Sequence, residues 1–201
     1  VTKGETMTIE ELCRRSYDIA VSKGWHEQKR SLGEAIALFH SEVSEVLECF
    51  RDPSHQPGDT WYSEGGKPEG MVFELADLLI RIGDTSLDMA LPIVGCLHNT
   101  TVGMLGYGCN DFLLYNDSKV TSLGDMLSVL HVHLSKAFDR SLDIGVLLEM
   151  KDSSEVSCHL ARAMNTAGGI CQIHHWDLER AVIEKIEYNE TRAYRHGGKR
   201  A

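Results

Sequence analysis

Two helical stretches carry carboxylates three residues apart. In HSEVSEVLECFRD, Glu42, Glu45 and Glu48 interrupt a run that otherwise reads as a packed helix, and in FELADLLIRIGD, Glu74 and Asp77 repeat the spacing. At about 100° per residue, such pairs lie roughly 60° apart, on one border of an apolar stripe. A shift of 32 residues superimposes the two patterns: Glu42 falls on Glu74, Glu45 on Asp77, Val43 on Leu75, Val46 on Leu78, Leu47 on Leu79 and Phe50 on Ile82. If the two helices pack antiparallel through these stripes, four carboxylates converge. Crowded anions resist burial unless cations compensate them. Hard divalent ions such as Mg²⁺ do so through oxygen ligands shared with water and substrate phosphates. The competing reading is a pair of solvated helix flanks, and either motif alone favours it.

The elements that must position these groups follow from periodicity. Thr8 and Glu11 form a capping box before Ile9, Leu12, Cys13, Tyr17 and Ala20, and Gly24 stops that helix. Ser31 and Glu34 open a second helix, whose stripe runs through Leu32, Ala35, Ile36, Phe39, Val43, Val46, Leu47 and Phe50. The stretch from 51 to 70, rich in Pro, Gly and polar residues, reads as a long loop of the kind that often carries function. A third helix starts at Met71, a short one is expected near 91–105, and further helical patterns cover about 122–139, 153–167 and 176–194. No segment alternates with period two, so the fold class is all-α, a helical bundle.

Composition narrows the functional classes. The 201 residues suffice for one sizeable domain over 1–201, or for two helical units sharing a core. A net charge of −10 argues against a nucleic-acid binder. No apolar run is long enough to span a bilayer and no signal-peptide pattern opens the chain, so a cytoplasmic protein with no membrane partner is the expectation. Six cysteines without a C-x-x-C pair read as reduced, mostly buried thiols. A zinc site is disfavoured as well, since His131 and His133 point roughly 160° apart on a helix and no H-x-x-x-H occurs.

The segments KGWHEQKRSLGEAIALFHSEVSEVLECFRD and GGKPEGMVFELADLLIRIGD resemble the MazG-like branch of the all-α nucleoside triphosphate pyrophosphohydrolases, whose E-x-x-E and E-x-x-D motifs match Glu42, Glu45, Glu74 and Asp77. The ending EKIEYNETRAYRHGGKR resembles the family's K-x-x-x-N-x-x-R pattern through Lys185, Asn189 and Arg192. The match covers about 25–88 and 184–200 and leaves the middle third without a motif. The resemblance implies catalytic helices over about 8–90 and a substrate-binding helix over about 176–194. It implies Mg²⁺, with Mn²⁺ as a substitute, on the four carboxylates. The implied reaction splits a (deoxy)nucleoside triphosphate into the monophosphate and pyrophosphate, serving nucleotide pool control. Glu45, with Glu42 beside it, would handle the attacking water; Lys185 and Arg192 would meet phosphates, and Asn189 would hydrogen-bond substrate. Trp25 and His26 would lie at the base, and Lys67 and Trp61 in a lid. Arg81 would reach pyrophosphate or, more in keeping with its i+4 spacing, pair with Asp77. A homodimer is the implied assembly. The alternative is a catalytically idle nucleotide-binding or scaffold bundle.

The middle of the chain echoes its first part. SLGDMLSVLHVHLSKAFD follows SLGEAIALFHSEVSEVLE at an offset of 91, and CHLARAMNTAGG follows FELADLLIRIGD at 85. The acidic positions become His133, Lys136, His159 and Arg162. The expectation is an internally duplicated pseudo-dimer whose second half, about 118–170, has lost its metal site and packs against the first.

Overall fold

The computed structural model describes residues 6–97, 101–105, 122–145 and 153–195. It is predominantly helical, with α1 (Ile9–Ser22), α2 (Leu32–Arg51), α3 (Met71–Asp88), a short α4 (Ile93–Leu97), α5 (Leu123–Gly145), α6 (Ser153–His174) and α7 (Leu178–Thr191). Cys109, the start of the echoing half at 118–121 and the tail residues His196, Lys199 and Arg200 lie outside the described residues.

Helix α3 is the axis of the first half. It is buried almost all round, with Leu75, Leu78, Leu79 and Ile82 fully enclosed, and α1, α2 and α7 pack on it. Such a helix needs apolar residues on more than one face, and MVFELADLLIRI supplies them. Gly83 lets α1 come close, because a Cβ there would lie 3.2 Å from Cys13 Cα. At α1's start, Thr8 accepts from Glu11 N–H at 3.1 Å. At α2's start the reciprocal box forms: Ser31 N–H donates to Glu34 and Glu34 N–H to Ser31. Leu47 and Phe50 remain partly exposed, so burial of the α2 stripe stops before the helix does.

The stretch from 51 to 70 is not wholly irregular. Trp61–Tyr62 and Pro68–Glu69 pair antiparallel, a ladder too short to leave a period-two signature. Gly70, at φ 125°, caps α3 where a Cβ would press on Asp59 O. Tyr62 Oη donates to Glu184 on α7 at 2.9 Å, tying the hairpin to that helix.

The second half forms its own hairpin, α5 against α6, and α5 lies on α2. Ser122 and Asp125 make the same reciprocal box as Ser31 and Glu34, 91 residues earlier. At the α2–α5 crossing the rings of His40 and His131 stack, with Nδ1 atoms 2.7 Å apart. These are equivalent residues of the two echoing segments. A two-fold relation between hairpins brings a residue onto its own counterpart at the axis. The second helices of the two hairpins, α3 and α6, agree: Gly83 and Gly168 correspond at the offset of 85, and Gly168 likewise admits close backbone, that of Leu105. Helices α5 and α6 run further than the patterns near 122–139 and 153–167 indicate. Gly168 and Gly169, which suggest a helix end, sit fully buried inside α6.

Candidate functional site

Packing of α2 on α3 brings carboxyl oxygens of Glu42, Glu45 and Glu74 within 4.8 Å of one another. It is the one such group of metal-ligating side chains among the described residues. Glu42 and Glu74 are 3% and 2% exposed, whereas Glu45 is open to solvent. Burial pushes the Glu42 carboxyl up to about 7; Arg81 pulls the other way, and the Asp77 and Glu45 charges add to the rise. Burial pushes Glu74 up to about 8, against Lys185 and with Asp77. Desolvation wins in both because it penalises the ionised form more than one partner repays.

Asp77 lies beside this trio but is engaged by Lys185, whose Nζ is 2.7 Å from Asp77 Oδ2 and 3.9 Å from Glu74 Oε1. Lys185 is 1% exposed and packs over the Phe73 ring. It is therefore a buried counter-charge of the acidic cluster, not a side chain presented to substrate phosphates. Its position one helical turn before Asn189 is legible in sequence; its depth is not, because the packing of α7 on α3 sets it. Arg81 pairs with Glu42 at 2.5 Å, not with Asp77. The i,i+4 spacing on α3 favours Asp77, but Lys185 has taken that carboxylate, and buried Glu42 offers Arg81 a desolvated partner.

A cavity of about 330 Å³ opens beside the carboxylates. Glu42, Glu45, Asp77 and Arg81 form one wall, and Lys67, Asn189, Arg192 and Trp25 contribute to the rest. Lys67 comes from the hairpin and pairs with Glu69 at 2.9 Å. Trp61 does not line the cavity and instead stacks on His55 at 3.7 Å. His26 is also absent from the wall. Its Nε2 meets Asp84 Oδ1 at 2.7 Å and its Nδ1 meets Asp88 Oδ1 at 3.1 Å, so it braces the wall from behind.

Three polar wall residues escaped the motifs: Ser16, Arg30 and Asp84. Burial raises the pKa of Asp84 and His26 opposes the rise. Ser16 Oγ and Arg30 Nε are enclosed without a hydrogen-bond partner. Asp84 stands seven residues after Asp77 on the same face of α3, a helical signal that could have found it; Ser16 on α1 gives none.

No family model matches the chain, and no curated protein or solved structure matches it. The site's donors are carboxylate oxygens, and Glu74 Oε2 is buried with no hydrogen-bond partner. An orphaned acceptor within a carboxylate trio fits a hard divalent cation better than zinc, which prefers nitrogen and sulfur. The five described cysteines are unpaired; Cys13 and Cys171 are buried and the other three partly so. No helix among the described residues is long and apolar enough to cross a membrane.

Proposed function

We propose that the protein is a Mg²⁺-dependent nucleoside triphosphate pyrophosphohydrolase, with Mn²⁺ as a substitute. The observation that carries this reading is the convergence of Glu42, Glu45 and Glu74, two of which line a cavity that Lys67 and Arg192 also line. Carboxylates on one side and cations on the other suit a ligand that is a polyanion bound with a divalent ion.

Glu42, Glu45, Glu74 and Asp77 would hold the ion, which supplies neutralisation of the triphosphate charge and acidifies water. Glu45, the exposed member, orients the attacking water and takes its proton. The water oxygen bonds to the α-phosphorus, the bond to the bridging oxygen breaks, and pyrophosphate leaves with the electron pair. Arg192 and Lys67 balance the charge growing on that group. Asn189 hydrogen-bonds substrate, and Trp25 offers an aromatic face to the base. The resemblance to MazG-like enzymes agrees with this assignment and adds the expectation of a homodimer.

A second reading has its own observation. Arg81 on Glu42 and Lys185 on Asp77 already compensate two of the four carboxylates, as suits an idle nucleotide-binding bundle. Incubation with Mg²⁺ and a panel of NTPs and dNTPs separates the two. Release of pyrophosphate, lost in Glu45→Gln and Asp77→Asn proteins of unchanged helicity, is the expected result. Nucleotide binding without turnover supports the idle bundle, and release of orthophosphate refutes the reaction class.

A further inference from the structure

The seam between α5 and α6 carries basic side chains at the registers that carry acids on α2 and α3. His133 on α5 and His159 on α6 occupy the registers of Glu42 and Glu74, and their rings approach to 6.1 Å between centroids. Burial matches on α5 and not on α6. His133 is 5% exposed where Glu42 is 3%, and Lys136 is exposed like Glu45, whereas His159 is half-buried where Glu74 is buried and Arg162 is more open than Asp77. Lys136 lies three residues after His133 and Arg162 three after His159. On a helix that spacing puts each cation on the face of its histidine, so both flank the seam where the rings meet.

Charges around the seam are mostly positive. Arg140 reaches across from α5 to Glu155 of α6 at 3.2 Å, so that carboxylate is engaged, while Asp139 is an exposed acid on α5. Neither Lys136 nor Arg162 has an ion-pair partner among the described residues. Nδ1 of His159 is enclosed without a hydrogen bond, leaving Nε2 as the ring's remaining donor or acceptor. The positive field of Arg162, Lys136 and Arg140 holds the His159 pKa down, after burial itself. A metal cation would meet the same repulsion, so the two histidines do not make a metal site.

We propose that the α5–α6 seam is a second binding site, one that takes a phosphate-class oxyanion between Lys136 and Arg162, above the His133–His159 pair. Such an anion meets both positive charges and offers oxygens enough to bridge them, one to the ammonium and two to the planar guanidinium fork. The seam is thus a recognition site in its own right and not only the packing remnant of a lost metal centre.

The test uses the full chain in EDTA, so that no divalent ion occupies the acidic site. Inorganic pyrophosphate is titrated by calorimetry, and the histidine C2–H signals are followed by NMR, with His159→Gln supplying the assignment. The expected result is saturable binding that shifts the His159 signal and exceeds that of sulfate. Lys136→Ala with Arg162→Ala should weaken it roughly ten-fold or more, the loss of charge-assisted bonds. Both side chains are exposed, and an unchanged circular dichroism spectrum certifies the fold. Binding that survives this double change but disappears in Arg192→Ala overturns the proposal, because the anion then sits in the cavity beside the carboxylates. No saturable binding at millimolar pyrophosphate, or sulfate binding as tightly, overturns it too.

Discussion

On α2 and α3 the positions flanking the packing stripe are Glu42, Glu45, Glu74 and Asp77; on α5 and α6 they are His133, Lys136, His159 and Arg162. Both hairpins open on a reciprocal Ser–acid cap, both use a glycine of their second helix to admit neighbouring backbone, and they meet at His40 and His131. The frame is shared; the residues on the stripe's border are not. Helix packing depends on the stripe, which tolerates any side chain at its border whose charge is met somehow. The first hairpin meets its charges with buried Lys185 and with Arg81, the second by replacing the acids altogether.

The widest gap between the hairpins is expected in turnover. Glu45→Gln should lower pyrophosphate release about 100-fold or more, whereas Lys136→Ala, its counterpart, should leave release at the parent level. Equal losses in both would mean that the second seam takes part in the reaction.

Next is the counter-charge. Lys185→Met leaves Asp77 and Glu74 without their buried cation and should cost about 3 kcal/mol in urea unfolding, part of it recovered by Mg²⁺. Arg162→Met, at the exposed counterpart of Asp77, should change stability by under about 0.5 kcal/mol. The paired glycines sharpen the contrast differently. Gly168→Ala drives a Cβ into the Leu105 carbonyl, at a cost of about 2 kcal/mol, and Gly83→Ala should cost less because its nearest neighbour, Cys13 Cα, is 3.2 Å away.

The smallest effect belongs to the axis. Burial holds both His40 and His131 below the ordinary value of 6.5, and His131 adds to the depression of His40. The unfolded chain therefore binds protons more readily, so stability is fully present above about pH 6.5 and is lost as pH falls below it. Thermal melts between pH 8 and pH 5 should show this loss, and His40→Gln with His131→Gln should diminish it.

Much of this was legible in advance because it depends on local pattern. The caps at Ser31 and Ser122, the stripe through Phe39, Val43 and Val46, and the paired spacing of Glu42, Glu45, Glu74 and Asp77 are all short-range signals. The Trp61–Tyr62 ladder was hidden because two residues establish no period. Gly168 reads as a stop signal, since only the approach of Leu105 explains a glycine there. Lys185 and Arg81 were harder still. A charged side chain finds its partner by tertiary packing, and neither spacing nor residue type discloses that Lys185 would be buried on Asp77 while Arg81 crosses to Glu42.

Lys185 also bears on the order of events during folding. Domains organised wholly around a metal stay unfolded until the ion arrives, and their yield follows ion supply. Here an ammonium carried by α7 offsets part of the cluster's charge as that helix packs on α3. Folding in EDTA is therefore expected, and a cooperative urea transition in a metal-free buffer would check it.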